Sequence, residues 1–403
     1  MRQRRLSILV AAAAAVLTGV GLVGLAAAGP AAARTDSYVT INGSGSSWAE
    51  VAIDQWSQDV QRKGITVNFN PDGSAQGLQD YIQGQDDFAA SDIPFRAGRD
   101  KLAGLGPQHV RYGFSYAPDV AGGTTFMYHL DVGGHQITNL RLTGPLIVKI
   151  FTGKIRNWDN PEITRVYGHQ LPDIPITPVI HSEGSGDNFF LTRWMATEFP
   201  HQWNAFCAKV THGRVRKDCG PSESYPTSGW GNVKPENGSS NVAIYITSSH
   251  GNGAIGYLEY AYALNSHYPV VRLRNPAGRY VLPTAANVTV ALTAAQINEN
   301  PRSPQFLQQN LDHVYTFRDP RSYPLSSYSY LVVPRTGRKP KPPTFSRAKG
   351  RTLSTFLVYL LCPAAQRELP PLGYAKLPPN LVRGGLLVAR QIPGHVHVPH
   401  RCP

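Results

Sequence analysis

The sequence predicts an α/β protein, and three observations carry that class. Short apolar runs alternate with amphipathic stretches along the chain, glycine- and hydroxyl-rich turns separate them, and several runs have the period of strand, turn and helix in succession. With 403 residues, 41% of them apolar and 16% charged, the chain is long enough for two lobes with real cores and has the composition of an ordinary folded protein.

The start, "MRQRRLSILVAAAAAVLTGVGLVGLAAAGPAAA", has three arginines, an apolar run and a small-residue end at Ala31 to Ala33. It reads as a secretory signal over residues 1–33, with the mature chain beginning near Arg34. Leu6 to Ala28 is long enough for an uncleaved anchor, but its alanine and glycine content makes it weakly hydrophobic. No cysteine lies near the cleavage site, so we expect a secreted or wall-associated protein without a lipid anchor.

After the turn "NGSGSS", Trp48, Ala52, Trp56 and Val60 recur at helical spacing, with Ser46 or Ser47 as cap and Gly64 as stop, predicting a helix from Trp48 to Lys63. "ITVNFN" alternates Ile65, Val67 and Phe69 with polar residues, the pattern of a half-buried strand, and a second helix begins near Ser74. "DDFAASDIPF" supplies a short strand ending at Asp92. Thr143 with Pro145 opens a helix through Phe151, which Gly153 ends. "ITPVI" then leads into "HSEGSGDNFFLTRWMATEF" as strand, turn and helix.

Cys207, Cys219, Cys362 and Cys402 form an even set in an exported chain, which favours disulfides over metal chemistry. We expect Cys207 with Cys219, closing the basic loop "CAKVTHGRVRKDC", and Cys362 with Cys402, pinning the tail. Four cysteines allow three pairings, and the sequence does not choose among them. The formal charge of +13 falls to about +10 without the three signal arginines, which favours contact with anions. Outside "RVRK" and "PRTGRKPKPP" the basic residues are dispersed and not interleaved with aromatics, so nucleic-acid binding is not expected; contact with acidic wall polymers, or simply a solvated positive face, suits such a surface better.

In three places a strand enters, small residues turn the chain, and a helix N-terminus follows. Free N–H groups there sit at the positive end of the helix dipole. Ser47 with Trp48, Ser74 with Ala75, and Ser185 with Gly186 can therefore converge on one oxyanion, although a single such turn is equally an ordinary cap.

In their order, "NGSGSSWAEVAIDQW", "FNPDGSAQGLQDYIQGQDDFAASDIPF", "FTGKIRNWDNPEI", "VIHSEGSGDNFFLTRW", "GNGAIGYLEYAYA", "YPLSSYSYLVV" and "LGYAKLPPNLV" resemble the phosphate-binding solute receptor of ATP-driven phosphate importers. The resemblance implies a two-lobed periplasmic-binding-protein-like fold, with lobe 1 from residues 34–117 plus 320–403, lobe 2 from 118–319, and a ligand cleft between lobes joined by two crossovers. It implies ligand groups at Ser47, Trp48, Ser74, Ser185 and Gly186, and an acid at Asp92 that accepts a proton from hydrogen phosphate and so rejects fully ionised oxyanions. The implied partners are inorganic phosphate or a related small ligand and a membrane permease complex; a monomer with no cofactor and no metal is expected.

The third cradle departs from the family pattern. His181 stands where the family has arginine, Asp187 where it has a hydroxyl-bearing threonine, and Glu183 at an acidic position whose usual arginine partner is missing. A permanent cation becomes a ring with an unperturbed pKa of about 6.5, and a neutral donor becomes a carboxylate. Two like charges about 4 Å apart repel by roughly 4 kcal/mol at an effective dielectric of 20. Asp187 can point away and cap its helix, can be protonated and donate, or the ligand is not phosphate.

Other chemistry finds less support. Ser185 lies outside a G-x-S-x-G turn and has no identifiable triad, which leaves a secreted serine hydrolase using Ser185 or His181 as a distant alternative. "HVHVPH", with His395, His397 and His400, lacks a second ligand cluster, and no P-loop lysine follows any glycine turn. The sequence therefore points to a receptor without turnover, or to the same fold recruited to another ligand or a cell-wall partner.

Overall fold

A computed structural model describes residues 38–400 and 402, so the expected signal lies outside the described residues. Strands β1 (Ile41–Gly45), β2 (Val67–Asn70), β3 (Phe88–Ser91) and β4 (Phe114–Tyr128) share one eight-stranded sheet with strands Thr177–His181, Lys234–Glu236, Ala254–Glu259 and Ser326–Pro334. β1 pairs in parallel with β2 and β3, while 254–259 and 234–236 flank 177–181 in parallel. Between these two parallel groups lie β4 and 326–334, antiparallel to each other. Both are buried almost throughout, as strands covered on both faces must be.

Eight of the helices are α1 (Glu50–Gln61), α2 (Ser74–Gln83), α3 (Gly144–Phe151), α4 (Pro161–Tyr167), α5 (Gly186–Glu198), α6 (Pro200–Val210), α7 (Gly238–Thr247) and α8 (Tyr260–Asn265). The strand-to-helix steps β1–α1, β2–α2, 177–181 to α5 and 234–236 to α7 bring four helix N-termini to the carboxyl ends of their strands, the usual place for ligands in open α/β sheets. The apolar stripe of the first helix is buried as expected: Trp48, Ala52, Trp56 and Val60 are all at most 1% exposed. Its start differs. The helix begins at Glu50, not Trp48, and its N-cap Ala49 has no side-chain cap bond. Ser46 Oγ instead donates to Asp92, at 2.8 and 2.7 Å from the two carboxylate oxygens, and accepts from Ala49 N at 3.3 Å. A charge-assisted bond to a buried carboxylate outweighs an ordinary cap.

The strand expected from "ITVNFN" begins at Val67 and that expected from "ITPVI" runs over Thr177–His181, α2 begins at Ser74 as expected, and Thr143 caps α3 by position with proline in its first turn. β3 stops at Ser91, one residue before Asp92, which leaves that carboxyl free of the ladder. Both expected disulfides form, Cys207–Cys219 from the last turn of α6 to the loop that follows it and Cys362–Cys402 from the end of helix Arg347–Leu361 to the tail. Thiol titration of the denatured, unreduced mature protein is therefore expected to find essentially no free thiol; one or two reactive thiols would contradict this pairing.

Candidate ligand-binding site

The site is assembled where the helix N-termini of the two sheet halves meet. On one side Asp92, buried and aimed out of the end of β3, accepts from Ser46 Oγ and from Ser74 Oγ at 3.0 Å, while its own N–H donates to Ser74 Oγ at 3.3 Å. Burial pushes its carboxyl up from the ordinary 3.8, and these hydroxyls pull the other way. On the other side the turn after strand 177–181 brings His181, Glu183 and Asp187 together. Gly186 joins the two halves: a Cβ there would stand 2.0 Å from Asp92 Oδ2, so only glycine lets the start of α5 sit against that carboxylate. A second junction is backbone, Ala75 N donating to Gly184 O at 3.0 Å. Gly73, at φ 105°, permits it, since a Cβ would lie 2.8 Å from Glu183 Cγ.

His181 is wholly buried, and both of its ring nitrogens face acceptors: Nδ1 lies 2.7 Å from Glu183 Oε1, and Nε2 lies 3.0 Å from the Tyr257 carbonyl and 3.5 Å from Asp187 Oδ2. Neutral imidazole has only one N–H, so this geometry requires the doubly protonated cation. Burial pulls the ring's pKa down, but the Glu183 carboxylate and then Asp187 outweigh it and hold the ring up at about 9. The expectation of a ring that titrates near 6.5 is corrected: His181 is a standing cation at neutral pH. Burial also opposes ionisation of Glu183, yet the adjacent imidazolium holds its carboxyl below the ordinary range.

Asp187 faces inward. The helix cap is Ser185, whose Oγ accepts from Asp187 N at 3.0 Å, so the reading in which Asp187 turns away to cap its helix is excluded. Asp187 Oδ1 accepts from Thr124 Oγ1 at 3.0 Å, and Trp48 Nε1 donates to that same hydroxyl at 3.1 Å, which aims the hydroxyl hydrogen at the carboxylate. Ser239 Oγ, at 3.4 Å, reaches Asp187 Oδ2, while Ser47 Oγ accepts from Ser239 N at 3.1 Å. With His181 balanced by Glu183, burial and the nearby Asp92 raise Asp187 to about 7 despite the imidazolium.

All nine residues expected from the sequence lie in this one region. Trp48 enters through its indole, and Ser47 through Ser239 at the start of α7. Sequence reasoning missed Ser46, Thr124 and Ser239, together with Asp119 and Glu259, two buried acids pushed well above their ordinary range by burial. Ser239 had a legible signal, since "NGSSN" repeats the glycine, hydroxyl and helix design of the other turns; Thr124 sits inside a strand and had none. Among the described residues no group of His, Cys, Asp and Glu is arranged to hold a metal ion.

The sequence profile of the PBP superfamily domain matches residues 28–364. The phosphate-binding protein PstS of Pasteurella multocida strain Pm70 is 30% identical over 313 residues, covering 77% of this chain and 80% of that protein. This chain belongs to the PBP superfamily, within its PstS phosphate-binding proteins. The PstS of Xylella fastidiosa strain Temecula1 is 29% identical over 368 residues, 91% of this chain and 89% of its own. In fold, this PstS-family chain is similar to a high affinity periplasmic phosphate-binding protein (PfluDING) solved bound with phosphate at pH 8.5, with a TM-score of 0.59, 16% identity, and coverage of 85% and 92%. The family architecture is the two-lobed periplasmic-binding-protein fold, and the parallel strand groups of this chain flank β4 and 326–334 in one sheet.

The buried ionisable groups couple stability to pH. His181, raised to about 9, contributes stability that is fully present below its ordinary 6.5 and lost as pH rises through about 9. Glu183, depressed, contributes stability that is lost as pH falls through its lowered value. Asp187 works the other way from Glu183: its raised pKa means that ionisation opposes folding, so stability declines as pH climbs from 3.8 towards about 7. Asp187→Asn is therefore expected to raise the melting temperature at pH 8 by about 2 °C or more, and to give no gain near pH 4. Scanning calorimetry at both pH values checks this; equal effects at both would show that the charge is irrelevant.

Proposed function

We propose that this chain is an extracellular receptor that captures inorganic phosphate and delivers it to a membrane permease complex, with no turnover of its own. The observation that carries this reading is the seat around Asp92, where Ser46 and Ser74 converge on a buried acceptor and Gly186 brings the N-terminus of α5 against it. Helix N-termini and hydroxyls supply donors to an oxyanion, and the acid accepts the proton that hydrogen phosphate carries and sulfate lacks. Lobe 1 comprises residues 34–117 plus 320–403 and lobe 2 residues 118–319, with ligand capture by closure between them. Ser47, Trp48, Ser74, Ser185 and Gly186 are the binding groups. The geometry gives no support to a serine hydrolase, because both nitrogens of His181 are already hydrogen-bonded and Ser185 Oγ serves as the cap of α5. Among the described residues no helix is long and apolar enough to cross a membrane.

In this reading Asp187 makes capture depend on pH. His181 keeps its charge on both sides of neutrality, whereas Asp187, at about 7, and phosphate itself both change charge between pH 8 and pH 5. Protonated Asp187 no longer repels the ligand and becomes a donor to it. Phosphate binding measured by titration calorimetry is thus expected to strengthen as pH falls from about 8 to about 5, and Asp187→Thr to tighten it at pH 8 by at least about tenfold, or ~1.4 kcal/mol. His181→Arg added to that variant should contribute little. Tight, pH-independent binding by the wild type that Asp187→Thr fails to improve would remove Asp187 from the ligand's surroundings; no phosphate binding by either protein would point to another ligand. Small-angle scattering tests closure: the radius of gyration is expected to fall on adding phosphate, and an unchanged value with binding demonstrated in parallel would defeat the hinge.

A further inference from the structure

A second concentration of charge lies away from the Asp92–Asp187 site. The loops that follow β3 and α6 face each other across a cleft of about 470 Å3, with Arg99 and Lys101 on one wall and Arg214, Arg216 and Lys217 on the other. Among the described residues none of these five cations pairs with a carboxylate. Arg214 Nε and Arg216 Nε each donate to a carbonyl of their own loop, Thr211 O and Gly213 O, at 3.1 Å. Lys101 Nζ donates across the cleft to Asp218 O at 2.7 Å. Such bonds orient the cationic heads without neutralising them.

The walls are also held. The Cys207–Cys219 disulfide closes one loop, in which His212 and Asp218 adopt left-handed backbone at φ 51° and 48°. The other loop is tied to it through buried Asp100, which accepts from Ser222 Oγ at 2.7 Å and Glu223 N at 3.2 Å, and through the Arg96–Glu223 ion pair at 2.5 Å. Of the neighbouring carboxylates, Glu223 is matched by Arg96, while Asp100 is held by neutral donors that leave its charge unmatched; the five cations lining the cleft outnumber it. Like charges gathered on a cross-linked loop repel one another, so an anion that enters gains from all of them at once.

We propose that this cleft is a second anion site, for a short inorganic oligophosphate. Three guanidinium forks match the paired oxygens of phosphoryl groups, and two lysines add point charges. Cations on two walls suit an extended multivalent anion better than a single orthophosphate. No aromatic side chain lines the cleft, so a nucleic acid would find no stacking surface. None of these residues belongs to the Asp92–Asp187 site, so the assignment stands apart from the orthophosphate reading.

The test uses the mature, disulfide-bonded chain and sodium tripolyphosphate at low ionic strength, in buffer already containing excess orthophosphate, with citrate as a control. Titration calorimetry is expected to show one tripolyphosphate bound per chain, weakening as salt is added. Arg214→Ala with Arg216→Ala should reduce that affinity at least about tenfold with the melting temperature unchanged, Arg99→Ala should reduce it from the opposite wall, and Asp187→Thr should leave it alone. Absence of binding at about 1 mM tripolyphosphate, equal affinity in the arginine variants, or equal binding of citrate would each overturn the proposal. Loss of tripolyphosphate binding only when orthophosphate is present would place the ligand in the Asp92–Asp187 site and overturn it as well.

Discussion

The buried imidazolium of His181 sets the charge balance of everything around it. Its two N–H groups are committed to Glu183 and to the Tyr257 carbonyl, so the ring is held in one place and one protonation state. A buried ion pair gains little over apolar packing, but removal of either partner leaves an uncompensated charge in a medium that solvates it poorly. Because the imidazolium is largely matched by Glu183, the neighbouring Asp187 stays the excess acid, and its carboxyl is pushed up to about 7. One paired cation beside two carboxylates thus turns a site that could have been permanently charged into one that titrates.

The hydroxyl web depends on the same balance. Thr124, Ser239, Ser46 and Ser74 can each donate, and each directs its proton at Asp187 or Asp92. Trp48 fixes the Thr124 hydroxyl from behind, which also buries the indole against Tyr374 at a centroid distance of 5.8 Å. A ligand that brings its own oxygens competes for these same donors, so the web is a set of interchangeable acceptor positions. Close backbone approach makes the exchange possible, and it is supplied by glycine where α5 meets Asp92 and where α2 meets the 181–186 turn.

The inner and outer cationic features of this molecule differ in kind. Around Asp92 and Asp187 the groups are buried, hydroxyl-rich and sensitive to protonation, which suits discrimination between anions of different proton content. In the cleft between the loops after β3 and α6 the cations are exposed and solvated, so they respond to total charge and weaken with salt. A disulfide next to the outer cleft and ties through Asp100 and Glu223 keep its walls in register without burying any of the five cations.

Much of this was legible along the chain. Periodicity placed the buried stripe of α1, hydroxyl and proline start signals placed the beginnings of α2 and α3, and the apolar run "ITPVI" came within a residue of strand 177–181, because such patterns are short-range properties. The even cysteine set announced disulfides, and the repeated strand, turn and helix design marked Ser47, Ser74, Ser185 and Gly186, while Asp92 entered through the family resemblance. What the chain alone determined about this protein was therefore its α/β class, its oxyanion-seat turns and the substitution of His181 and Asp187 into one of them. Tertiary structure alone decided what that substitution means. Whether Asp187 caps its helix or faces inward depends on Ser185 taking the cap and on Thr124 and Ser239 arriving from distant segments. Whether His181 titrates near neutrality depends on which acceptors meet its two nitrogens, and one of them is a backbone carbonyl 76 residues away, invisible to any reading of residue types. Ionisation is set by the total field and the loss of water at a point in space, and only the folded chain brings those together.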